Sequence, residues 1–321
     1  MESNPTLHTK SMSVQLKALI INTFQYLSPL PQRSYLVIID GLDECHDKAT
    51  QQMILRLLCE TITVHKLPLR FLIGSRPKSH IRDIFDQESL YAVTRRVVLD
   101  ETFDPGRDIQ VFLQDGFAEI SAKNPILSHV KRPWPEVGII DLLVQRSSGQ
   151  FVYAATILKF VGADFCSPTK QLALVLKPDP TAFSDLDQLY TQILSIYPTA
   201  VNIVQVLGFI IAFDEKNLPE VIEDLLEMEE GGLKLVLRGL SSLMEDENDE
   251  NDDSDENDEN RECLNEGVVS YVIPEFAHAS FSDYLFDSSR SGPFHVNRQE
   301  YGNQVTIQSF ALIIQLIRFW K

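Results

Sequence analysis

The chain has 321 residues, enough for about two domains, and its 44% apolar content with 18 Phe and 9 Tyr excludes a wholly disordered protein. The formal net charge of −18 is unevenly spread: residues 245–262 carry 12 acids and one base, whereas elsewhere 34 acids face 27 bases. No basic patch is available for nucleic acid or anionic lipid, four scattered cysteines do not make a disulfide scaffold, and no apolar run reaches the roughly 20 residues that span a bilayer.

In chain order, Val14, Leu16, Leu19, Ile20 and Phe24 predict a one-sided apolar helix ended by Pro29 and Pro31. Residues 35–39 (YLVII) are continuously apolar and β-branched, which predicts a strand buried on both faces and therefore a parallel sheet. A helix over 50–63 and a second strand over 69–73 (LRFLI) complete a βαβ unit, with a third strand predicted over 93–99. After Pro105 the period becomes helical. Helices are expected over 109–120, from Pro135 to a break at Gly149, over 151–161 with burial all round, and over 185–196, 201–213, 218–228 and 233–244. Residues 245–262 (Asp, Glu, Asn) cannot pack and predict a disordered loop, followed by a strand over 268–273 and a helix over 279–286. Helices, a long polar wing and a strand are compatible with a small winged-helix domain.

The most informative stretch is 36–44 (LVIIDGLDE). Asp40 leaves the carboxyl end of a buried strand, where α/β proteins bind ligands. Its carboxylate is suited to a Mg²⁺-bound water, while Asp43 or Glu44 is suited to orienting or deprotonating an attacking water. The same acids equally suit a solvated helix start, where Asp is a good cap. Strand 69–73 ends in Gly74-Ser75-Arg76-Pro77, so a hydroxyl and a cation emerge beside the acids. Arg76 could bond a phosphate oxygen, or simply pair with Asp40 or Glu44.

These motifs resemble the nucleotide-binding core of fungal NACHT-domain proteins, signal-transducing P-loop NTPases that include heterokaryon-incompatibility and animal innate-immune receptors. Residues 36–45 (LVIIDGLDEC) resemble that family's Walker B strand and 71–77 (FLIGSRP) its sensor strand. Residues 135–161, containing RSSGQFVYAATILKFV, resemble the helical domain, and 276–285 (FAHASFSDYL) the last helix of the winged-helix domain. The implied architecture is α/β: residues 1–104 hold the C-terminal part of a partial parallel P-loop NTPase-type sheet. A helical domain follows over 105–180, then a winged-helix-like domain over 181–297 with its disordered loop at 245–262, and an atypical hydrophobic tail over 298–321.

The resemblance implies ATP or ADP with Mg²⁺ as cofactors, Asp40 as the Mg²⁺ ligand, Asp43 and Glu44 as the water-handling acids, and Ser75 and Arg76 beside the phosphates. His278 would contact the β-phosphate of ADP. The adenine-facing proline of relatives is replaced in Gly149-Gln150-Phe151, where Phe151 could stack instead. Nucleotide binding in this class needs GxxxxGK[ST], and in these 321 residues no glycine is followed directly by a lysine. The expectation is a chain that begins after its P-loop and binds no cofactor. It would be a cytoplasmic signalling or non-self-recognition protein that acts through protein partners or a homo-oligomer, with no nucleic acid and no membrane span. The alternatives are an ADP/ATP switch with slow hydrolysis and a winged-helix nucleic-acid binder.

Overall fold

Strands β1 (Tyr35–Ile39) and β2 (Leu69–Ile73) pair in parallel, with Tyr35 opposite Leu69 and Ile39 opposite Ile73. This computed structural model describes residues 6–26, 33–45, 47–99, 103–163, 166–177, 184–196, 203–212, 219–245 and 274–302. They are mostly helical and divide into two units, 1–99 and 100–321.

In the first unit, α1 (Met12–Leu16), a π-helical turn (Lys17–Ile21) and α2 (Asn22–Tyr26) precede β1. Helix α3 (Lys48–Thr63) is the crossover, and its start is fixed by Asp47, whose carboxylate accepts from the Thr50 amide at 2.8 Å. It buries Leu55, Leu58 and Cys59. Helices α4 (Ser79–Phe85) and α5 (Glu88–Tyr91) follow β2. One sheet face, with Val37, Leu69 and Phe71, packs against Ile21 and Leu67, while Ile73 joins Leu42, Leu55, Ile81 and Ile84 in a second cluster.

Burial on both strand faces is not found: Leu36, Ile38 and Leu72 are 60%, 67% and 57% exposed, because the described helices pack on the opposite face. The expected third strand over 93–99 is irregular, with Val97, Val98 and Leu99 exposed. Its β-branched composition favours an extended backbone, but a strand also needs a neighbour, and the described sheet contains only β1 and β2.

The second unit opens with α6 (Pro105–Lys123) and α7 (Val137–Ser147). Ser148 and Gly149, at φ 48° and 78°, turn the chain directly into α8 (Phe151–Gly162). Helices α9 (Pro168–Val175), α10 (Asp185–Leu194), α11 (Ile203–Ala212), α12 (Pro219–Leu225) and α13 (Gly232–Gly239) lead to a 3-10 turn, Ser241–Leu243. An antiparallel bridge joins Met244 to Phe276, and α14 (Ala279–Phe286), α15 (Ser288–Ser291), a 3-10 turn (Gly292–Phe294) and helical residues 298–302 follow. One core runs from Ile109 through Ile157, Tyr190, Leu207 and Leu237 to Phe281 and Val296, so the segments expected as separate domains at 105–180 and 181–297 share it. Helix α8 buries Tyr153, Ala154, Ile157, Phe160 and Val161, but Phe151 is exposed. Most of the acidic loop, the strand expected over 268–273, the prolines at 29 and 31 and most of the hydrophobic tail lie outside the described residues. No described helix is long and apolar enough to cross a membrane.

Candidate functional site

The carboxyl ends of β1 and β2 are tied together by backbone. The Gly74 amide donates to Ile39 O at 2.8 Å, and Leu42 N donates back to Gly74 O at 3.1 Å. Gly74 lets the Asp40 carboxylate lie close over the chain: a Cβ there would displace Asp40 Oδ1, the oxygen that accepts from the Gly41 amide. Gly41 sits at φ 62°, in the left-handed region, and directs the chain into the 3-10 turn Leu42–Glu44. Asp40 and Glu44 are exposed, whereas Asp43 is only 5% exposed.

Asp43 organises the loop after β2. Its Oδ1 accepts from the Arg76 amide at 3.0 Å and from Ser75 Oγ at 3.4 Å. Its Oδ2 makes no hydrogen bond but lies 3.5 Å from Lys78 Nζ and 3.7 Å from Arg76 Nε. Lys78 Nζ also donates to the Asp43 carbonyl at 2.9 Å, and Gln51 Nε2, from α3, reaches the same carbonyl at 3.0 Å. Burial alone would push the Asp43 carboxyl up; the Arg76 amide and the Lys78 and Arg76 charges outweigh it and hold the group below the usual carboxylate value. Asp40, Asp43, Glu44, Ser75 and Arg76 are thus gathered at one end of the sheet, with Arg76 paired to Asp43. Lys78 and Gln51 escaped sequence reading. Lys78 stood two residues past Arg76, but Pro77 concealed that the chain would turn it back.

Phe151 and His278 belong to the second unit, where both line a cleft of about 490 Å³. His278 is the N-cap of α14: its Nδ1 accepts from the Ser280 amide at 3.1 Å and lies 2.6 Å from Ser280 Oγ. An Nδ1 that accepts an amide proton leaves the ring proton on Nε2. Ser280 Oγ continues to Tyr190 OH at 2.7 Å, so the cap is joined to α10. His278→Ala should lower the stability of the second unit by about 1 kcal/mol, the usual worth of an N-cap, measured by hydrogen exchange of the α14 amides. Unchanged protection would remove the capping role.

Among the described residues, no group of three or more His, Cys, Asp or Glu side chains is placed to hold a metal ion, and Cys45, Cys59 and Cys166 are free thiols. Compared with known proteins, residues 1–76 match the family model of the nephrocystin 3 N-terminal region, a span that takes in β1, α3 and β2 and ends at Arg76. No curated protein and no solved structure matches the chain.

Proposed function

We propose that this chain is a NACHT-type signalling protein of the non-self-recognition kind, whose strand-end site in these 321 residues is vestigial and whose function runs through protein contacts. The state of Asp43 carries the reading. An acid that activates water has to reach that water, but Asp43 is buried and its carboxylate is occupied by Ser75, the Arg76 backbone and two cations. Arg76 and Lys78 neutralise a protein carboxylate where a phosphate site would need them for its ligand. Asp40 and Glu44, both exposed, present negative charge to any polyanion. This donor set does not fit a nucleotide polyphosphate. The match over residues 1–76 falls on the strands that resemble the NACHT core, which supports the family reading. The exposed row of Leu36, Ile38 and Leu72 supports protein contact, since parallel sheets are ordinarily covered on both faces. Phosphate release by the 321-residue chain should be no greater than that of its Glu44→Gln variant.

One observation favours a second reading, an ADP/ATP switch: Phe151 and His278, the residues expected against adenine and β-phosphate, line one cleft. On that reading His278 Nε2 would donate to the phosphate. Winged-helix character of residues 181–297 is supported by α10–α13, the Met244–Phe276 bridge at the base of the acidic segment, and α14.

A further inference from the structure

The open face of the β1 and β2 sheet carries charge and hydrocarbon in a definite order. Side chains alternate along a strand, so with Val37 and Phe71 packed beneath, Leu36 and Ile38 of β1 and Arg70 and Leu72 of β2 point the other way. The register sets Arg70 beside Leu36 and Leu72 beside Ile38. Asp40 continues the β1 row, and its carboxylate lies over Gly74, which continues the β2 row. Leu36, Ile38, Asp40, Arg70 and Leu72 are all exposed, and among the described residues the Arg70 side chain is paired to no acid. The patch therefore begins with a cation and ends with an anion about 13 Å further along the strands, with three apolar side chains between them.

A patch of that order is its own complement. A two-fold axis running across the strands at the level of Ile38 and Leu72 reverses it, so that Arg70 of one copy is set over Gly74 and beside Asp40 of the other, and apolar meets apolar in the middle. Because Gly74 has no side chain, the Asp40 carboxylate is not walled off from that approach. Packed with the strands in the same direction, the two patches would bring Arg70 toward Arg70 and Asp40 toward Asp40, so charge selects the antiparallel arrangement. We infer that this face is a homodimer contact: two copies of the chain pack sheet against sheet, strands antiparallel, with reciprocal pairs between Arg70 and Asp40. The inference rests on the reading that the chain acts through protein contacts, and it names a second copy as the partner at the exposed row. The patch is small, which puts the contact at the weak end of specific interfaces, with a dissociation constant on the order of 10 μM.

Sedimentation velocity of the full 321-residue chain tests it, with the wild type expected to pass from monomer to dimer between about 1 and 200 μM. Arg70→Glu and Asp40→Lys should each weaken association about tenfold or more, because either change sets like charges together at both ends of the contact. Mixed one to one, the two variants should associate at least as tightly as the wild type, since a doubly acidic patch then meets a doubly basic one. The double variant Arg70→Glu/Asp40→Lys should regain the wild-type dimer. Recovery on mixing uses the same two proteins that fail alone, so misfolding cannot produce it. A wild type that stays monomeric at about 200 μM, a measurement that needs no variant to fold, would overturn the inference. Association that survives both single variants would overturn it too. Neither result bears on nucleotide, so failure of the dimer and failure of the vestigial-site reading are told apart by titrating the same chain with Mg²⁺-ATP.

Discussion

Asp43→Ala should destabilise the first unit by about 3 kcal/mol, far more than Asp40→Asn or Glu44→Gln, each expected within about 0.5 kcal/mol. The substitution removes the acceptor of the Arg76 amide and the carboxylate that Arg76 and Lys78 share, so the loop after β2 loses its anchor. Hydrogen exchange at the Gly74 and Arg76 amides is the appropriate measurement, because a chain of two units need not unfold in one step. The pH dependence follows from the lowered carboxyl. A folded-state value below the ordinary 3.8 contributes stability above pH 3.8 and loses it as pH falls through the folded value. The wild type should therefore lose protection below about pH 4 by more than Asp43→Asn does. If Asp43→Ala proved as mild as Glu44→Gln, the structural role assigned to Asp43 would be lost.

In the second unit, Asp187→Ala should cost about 3–5 kcal/mol. Asp187 is 2% exposed and holds Arg290 with both oxygens, at 2.7 Å to Nη2 and 3.2 Å to Nε, binding α15 to α10. The hydrogen bond that Arg290 donates to Asp187 raises the Arg290 pKa. Beside this pair Thr191 Oγ1 meets Tyr284 OH at 2.8 Å, and the Tyr190 and Phe281 rings are 5.1 Å apart, so the interface that carries His278 depends on the same contacts. Truncating one partner strands a charge, whereas replacing both leaves none; the double variant Asp187→Leu/Arg290→Met should recover most of the loss in thermal unfolding. A double variant as unstable as Asp187→Ala would show that the pair is not the source of the cost.

Local sequence carried the elements well where composition and spacing agree. The run Tyr35–Ile39, the crossover helix and Leu69–Ile73 are parallel βαβ as expected, and α14 occupies its expected residues 279–286. Failure came where the deciding contact is distant in sequence. Residues 93–99 have strand composition but no neighbouring strand among the described residues, and Leu36 and Ile38 are apolar yet exposed because facing helices, not the strand itself, determine burial. At the site, sequence could place Asp43 beside Arg76. It could not show that Asp43 points inward, since that depends on Lys78 and Gln51 closing over its carbonyl from 35 and 8 residues away.

Calorimetric titration of the 321-residue chain with Mg²⁺-ATP and Mg²⁺-ADP tests the vestigial strand-end site most directly. With Arg76 and Lys78 committed to Asp43, and with Asp40 and Glu44 repelling phosphate, dissociation constants should be no tighter than about millimolar, only about 4 kcal/mol of standard binding free energy. Micromolar binding, together with phosphate release that Glu44→Gln abolishes, would contradict the account and establish a working NTPase site at the ends of β1 and β2.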